Sequence, residues 1–165
     1  MKKLVYILGV LALAACTNID CPLDNVVTLT SGLYDAEGGG KVELKAQLSV
    51  TQTDTSKVLL NRATDLFSFE LPLRHNIAED TLLFHFSDGK FRTAVDTLFL
   101  SYTDHPHFES VDCPVVFFHT LQRVRWTSHA LAVLPLTIDS VEMVRTTVNY
   151  DNIENLKIYL RSTAQ

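Results

Sequence analysis

A chain of 165 residues with 47% apolar and 20% charged residues can close one apolar core, which excludes a disordered or collagen-like polymer. Lys and Arg number 14 against 19 Asp and Glu, with no basic cluster, and this argues against nucleic acid and anionic lipid surfaces as partners. Six Gly and five Pro exclude low-complexity classes.

Residues 1–15 read as a signal peptide. Lys2 and Lys3 precede an uncharged apolar run, Leu4 to Leu13. As a helix that run would reach about 15 Å, half of the roughly 30 Å hydrocarbon core, so it is too short for a stable span. It ends Leu13-Ala14-Ala15-Cys16. This resembles the bacterial lipoprotein signal, which implies that Cys16 becomes an acylated N-terminus. The bland alternative is an ordinary signal peptide with a cysteine nearby. Each buried methylene of an acyl chain contributes about 0.8 kcal/mol, so several chains anchor durably. Loss of Lys2 and Lys3 leaves 12 basic residues against 19 acidic ones, a mature charge of −7. No later stretch reaches the length of a second apolar span. Residues 16–24 are expected to form the tether and residues 25–165 the folded domain.

Cys21 and Cys113 sit in matching contexts, Asp20-Cys21-Pro22 and Asp112-Cys113-Pro114. An extracytoplasmic compartment permits disulfides, and an Asp beside each sulfur weakens it as a nucleophile. Two cysteines are also too few for a closed zinc site without histidine. A structural Cys21–Cys113 disulfide is expected over a pair of free thiols. Closing a loop of about ninety residues stabilises by about 4–5 kcal/mol in the chain-entropy treatment.

From Asn25 onward the hydrophobic period is mostly two. Val42, Leu44, Ala46, Leu48 and Val50 share one face of a strand predicted over Lys41–Thr51. Phe67, Phe69 and Leu71 alternate with polar residues, as do Leu156, Ile158 and Leu160. Val144, Thr146, Val148 and Tyr150 suggest another face. Asp88-Gly89 is the strongest hairpin signal. As a two-residue loop it sets Ser87 opposite Lys90, Phe86 opposite Phe91 and Leu82 opposite Val95. Further strands are expected near Val26–Thr30, Val58–Leu60, Leu98–Tyr102, Val115–Trp126 and Ala130–Leu136. The run Val115-Val116-Phe117-Phe118 is apolar on both faces, which suits a central strand or the neighbourhood of a bulge. No capped helical stripe is present. The pattern predicts an all-β fold, an antiparallel sandwich of immunoglobulin-like or transthyretin-like type. An eight-stranded outer-membrane barrel fits the length but not the lipid anchor, the non-aromatic end Thr163-Ala164-Gln165 or the charged polar faces.

Several segments together resemble a family of small Bacteroidetes lipoproteins, labelled domain of unknown function 6452. They are the lipidated cysteine with Cys21-Pro22, Phe67-Ser68-Phe69-Glu70-Leu71-Pro72-Leu73 and Asp96-Thr97-Leu98-Phe99-Leu100-Ser101-Tyr102. Phe108-Glu109-Ser110, Cys113 and Asn155-Leu156-Lys157-Ile158-Tyr159-Leu160 complete the likeness. The resemblance implies a lipoprotein with a cysteine pair and supplies no activity.

Chemistry is sparse. His105 and His107 point the same way along an extended chain, with Glu109 next on that face, and such a set can ligate Zn²⁺ or Cu²⁺. A polar turn at Pro106 is the favoured reading, so no metal is assigned. His85 and His119 lie inside apolar strands and read as packed residues. There is no Gly-x-Ser-x-Gly elbow, and Gly38-Gly39-Gly40-Lys41 opens no helix, so neither an enzyme nor a cofactor is expected. Two roles remain. One is a structural or protein-interaction lipoprotein of the outer membrane, facing the periplasm and contacting another envelope protein. The other is a small-ligand or glycan-binding module, for which Trp126 and Tyr159 are the candidate aromatics, Trp126 being more suited to packing. Thr81, Thr97 and Ser140 lie in Asp-Ser/Thr-apolar tripeptides similar to the Bacteroidetes O-glycosylation sequon, each expected at a strand start.

Overall fold

The computed structural model describes residues 21, 26–53 and 57–163. Among them are ten strands and no helix. In chain order these are β1 (Leu29–Asp35), β2 (Gln47–Gln52), β3 (Val58–Ala63), β4 (Ser68–Leu71) and β5 (Glu79–Ser87). They are followed by β6 (Thr93–His107), β7 (Val116–Thr127), β8 (Leu136–Met143), β9 (Thr147–Val148) and β10 (Leu156–Ser162). One sheet has the order β4-β1-β10-β8 and the other β3-β2-β5-β6-β7-β9. The pairing is antiparallel except between β1 and β10, which run parallel. An all-antiparallel expectation is corrected there: the last strand inserts between β1 and β8 in the direction of the first.

Strict alternation builds the core. Asp80, Leu82, Phe84 and Phe86 of β5 face inward, as do Ala94, Asp96, Leu98, Leu100 and Tyr102 of β6. Leu29 and Leu33 of β1, Ile138 and Val141 of β8, and Leu156, Ile158 and Leu160 of β10 meet them in the same buried cluster. Both sheets therefore bury one face against a shared core.

The β5–β6 hairpin departs from the two-residue turn. Ser87 faces Thr93, Phe86 faces Ala94 and Leu82 faces Leu98. The loop is Asp88–Arg92, and the Asp88 carboxylate accepts the backbone N–H groups of Lys90, Phe91 and Arg92 at 2.8, 3.1 and 3.1 Å. Those bonds stabilise a wider loop than Asp-Gly alone requires. The register slips by three residues, and an odd slip exchanges the faces. Phe91 is consequently 97% exposed and Val95 points outward, while Asp96 turns into the core.

Three other predicted strands are corrected. Over Lys41–Thr51 only the second half joins the sheet ladder; residues 41–46 make single bridges, Lys41 with Tyr34 and Leu44 with Leu66. The Val42 N–H donates to the Leu33 carbonyl, so this segment crosses from one sheet towards the other. Residues 131–135 form a turn, with the Val133 N–H on the Ala130 carbonyl, and β8 starts only after Pro135. The face drawn through Val144, Thr146, Val148 and Tyr150 shrinks to two residues of β9, with Val148 buried and Val144 and Thr146 exposed. In β7 the doubly apolar Phe117-Phe118 splits its rings between faces: Phe117 stacks on His75 and Phe118 on His107. The bulge lies further along, where Gln122 is the extra residue between the Tyr102–Leu121 and Ser101–Arg123 pairs.

Candidate functional site

The ends of β6 define two ends of the molecule. At its start, the mouth between the sheets holds a cleft of about 410 Å³. Val42, Leu44, Ala46, Leu134, Leu136 and Leu160 supply its apolar walls, and Asp35, Glu43, Lys45 and Asp88 its charged rim. The crossing segment 41–46 forms one wall because it leaves the ladder. The 131–135 turn forms another. Lys45 pairs with Glu43 at 2.6 Å and Asp65 at 3.0 Å, and both contacts hold its ammonium more strongly protonated than usual.

A buried carboxylate fixes that second wall. Asp96 is fully buried on β6 and reaches across to the other sheet. It accepts the His129 N–H at 2.6 Å, the Ile138 N–H at 2.7 Å and the Thr137 hydroxyl at 3.0 Å, and lies 2.7 Å from His129 Nδ1. His129 Nε2 faces the carbonyl oxygen of Leu134 at 3.3 Å. A carboxylate with this many donors is well compensated for its burial. Trp126 adds a tie, its indole N–H donating to the Asp139 carbonyl at 3.0 Å. Half-buried and so engaged, Trp126 is a packing residue, as its neighbours in sequence suggested.

The outer face of the four-stranded sheet carries a half-buried aromatic pair. Tyr34 and Tyr159 are register partners on β1 and β10, with ring centroids 5.6 Å apart. Tyr34 donates to Glu154 at 2.8 Å and Tyr159 to Glu142 at 3.0 Å. Burial and the Glu154 carboxylate push the Tyr34 hydroxyl up to about 12. Gly32 matters here: a Cβ at that position would clash with Glu154 Oε2, so the carboxylate rests where a side chain would be. Lys41 pairs with Glu154 at 3.3 Å, and Lys157 lies 5.2 Å from the Tyr34 ring centroid. The sequence singled out Tyr159 and missed Tyr34, whose partner across a parallel pair no local pattern reveals.

Further buried polar groups sit nearer the other end of β6. Asp80, fully buried, accepts Arg74 at 2.6 Å and Gln52 at 3.3 Å. Tyr102 donates to the Arg74 carbonyl at 2.8 Å; its own burial and then the Asp80 charge raise its hydroxyl above the usual range. His119 is buried, as expected, with Nδ1 2.8 Å from Asp104, and burial lowers its basicity against the pull of that carboxylate. His85 is only half-buried, with Nε2 2.9 Å from the Thr51 hydroxyl on the outer face of the larger sheet.

His105 and His107 take separate partners. His105 Nε2 lies 3.0 Å from the Thr120 hydroxyl, while His107 stacks on Phe118 and lies 3.4 Å from Glu109. Among the described residues no group of three or more His, Cys, Asp or Glu is arranged to hold a metal ion. Thr81 and Thr97 lie on the outer face of the six-stranded sheet, and Ser140 on β8 opposite Tyr159. Thr97 sits between Leu83 and Thr127 in the middle of the sheet, which corrects its placement at a strand start. The Asp residues before Thr81 and Thr97 are the two inward carboxylates, so those tripeptides have a folding reason of their own. The signal was legible: each Asp heads an apolar period-two face, Asp80-x-Leu82-x-Phe84 and Asp96-x-Leu98-x-Leu100.

At the far end of β6, Cys21 and Cys113 form the expected disulfide, with Cα atoms 5.6 Å apart. Ser110 to Cys113 is a tight turn in which the Cys113 N–H meets the Ser110 carbonyl at 3.3 Å. Cys16 lies outside the described residues. No curated protein and no solved structure matches the chain. A sequence profile described as a family of unknown function, DUF6452, matches residues 47–160, from the first residue of β2 to Leu160 of β10. Covering well over half of the chain, that match makes the protein a member of the DUF6452 family.

Proposed function

We propose that this protein is a lipid-anchored binding module of the cell envelope, tethered through Cys16 and presenting its apolar cleft to a partner protein. One observation carries the reading: the cleft opens at the end of β6 opposite the disulfide that fixes the tether. Fifteen residues of strand separate those ends, roughly 45 Å at strand rise. The Met1–Ala15 signal and Cys16 support an extracytoplasmic site, with the outer membrane's periplasmic face as the expected address. The two sheets are read as a sandwich of immunoglobulin-like or transthyretin-like type. The role is binding, without a catalytic step or cofactor. The occupant is an apolar segment of another envelope protein, flanked by polar groups that answer the charged rim of Asp35, Glu43, Lys45 and Asp88.

A photoreactive side chain at Val42 in intact cells should crosslink to one envelope protein. Ala46→Trp, which fills the cleft, should abolish that product while leaving a control crosslinker at Thr127 unaffected. Equal labelling from both positions would overturn the reading. A second reading, recognition of a glycan, is favoured by the Tyr34–Tyr159 pair among carboxylates and ammonium groups. Tyr159→Ala should then weaken retention on envelope glycans, and the cleft variant should not.

A further inference from the structure

The turn held by the disulfide displays apolar side chains to solvent. Val111, inside the Ser110–Cys113 turn, is 99% exposed, Phe108 66% and Val115 40%. A valine and a phenylalanine this open on one short loop leave apolar surface in water that burial elsewhere would favour. The loop does not float. The disulfide pins Cys113, the Cys113 N–H closes the turn on Ser110, and the Asp112 N–H meets the Ser110 hydroxyl at 3.3 Å. Its apolar groups are therefore presented with little conformational freedom left to lose on docking.

Covalent geometry limits how far they stand from Cys16. Cys16 and Cys21 are five residues apart, a reach of at most about 18 Å in a fully extended chain. Cys113 follows at 5.6 Å between Cα atoms. If Cys16 is acylated, the turn cannot stand more than roughly 24 Å from the lipid attachment point. We infer that Phe108 and Val111 insert into the headgroup–acyl boundary beside the anchor and fix the long axis of the domain upright on the membrane. This rests on the lipid-anchor reading and adds a second, noncovalent membrane contact. The neighbouring charges are acidic, Glu109 and Asp112, so the contact is apolar and does not depend on anionic lipid.

The test places a tryptophan in the loop of the acylated full-length protein, as Val111→Trp and, separately, Phe108→Trp. Vesicles are phosphatidylcholine, with and without bromine on the acyl chains. Trp126 supplies an internal reference, since it pairs with Leu98 towards the opposite end of β6. The new indole should emit blue-shifted and lose about half or more of its intensity in brominated vesicles. Trp126 should be unaffected, and the same indole on a Cys16→Ser background should show neither effect. Acylated protein that binds vesicles while both new indoles remain open to aqueous iodide and untouched by bromine would overturn the loop contact alone. Parent protein that stays off the vesicles would overturn the anchor and the loop contact together. Docking of the loop on another protein predicts the first of these outcomes.

Discussion

The two ends of β6 are held by different kinds of bond. At the cleft end the sheets are joined noncovalently, through Asp96 and its donors on β8 and the preceding turn. At the other end a covalent bridge ties Cys21, ahead of β1 in the chain, to the β6–β7 loop. The second works mainly by restricting the unfolded chain, whereas the first specifies how the folded sheets face one another. Orientation of the cleft wall formed by the 131–135 turn thus depends on one buried carboxylate. The position of Cys21 against the β6–β7 loop depends on a bond that can be reduced separately from that carboxylate.

The largest effect should come from Asp96→Ala. It strands the Ile138 and His129 N–H groups inside the protein and leaves the Thr137 hydroxyl only the His129 carbonyl, and should cost about 3–5 kcal/mol in urea denaturation. Asp96→Asn, which keeps one acceptor oxygen but turns an NH2 towards the donors of the other, should cost somewhat less. Next is reduction of the disulfide, or Cys113→Ser, with an expected loss of about 2–4 kcal/mol. Photocrosslinking from Val42 should survive that change under native conditions; its loss would show that the ends are coupled.

A smaller effect follows from His119. Burial lowers its basicity in the folded state below its ordinary value of 6.5. The unfolded chain therefore takes up this proton first as pH falls. Stability from the neutral imidazole is complete above about pH 6.5 and lost as pH drops from there through the depressed folded value. His119→Gln should flatten that part of the stability curve, and an unchanged slope would show that His119 is not its source. The smallest effect is at the hairpin loop. Phe91→Ser should change stability by no more than about 0.5 kcal/mol, whereas Ala94→Lys should be strongly destabilising. The reverse order would restore the two-residue turn, in which Phe91 lies on the core face.

Period-two alternation made β2, β5, β7 and β10 legible, because each has one face in the core. The hairpin register was not legible, since Asp88 caps its loop with three backbone donors and no local rule weighs that against Asp-Gly. Residues 41–46 alternate as a strand does yet cross between sheets, a choice made by the tertiary partners Leu33 and Leu66. The cysteine pair was visible because its chemistry is restricted by compartment and composition. The cleft was hidden because its walls come from segments far apart in sequence. The inward Asp80 and Asp96 were overlooked although the apolar period-two faces that follow them were visible, because an acid at the head of such a face is easily read as a strand boundary.

The parallel pairing of β1 and β10 has a mechanical consequence. Ser31 to Asp35 lie beside Leu156 to Leu160 in the same direction, so the chain enters one strand at the disulfide end and leaves the other at the cleft end. Tension between the two ends of the chain would drag these neighbours past each other along their length. Their evenly spaced hydrogen bonds would then share the load together, in shear, instead of opening singly like a zipper. A pull from the N-terminus and Ser162 should therefore meet greater resistance than the same pull across β8 and β10, whose antiparallel ladder can peel from one end.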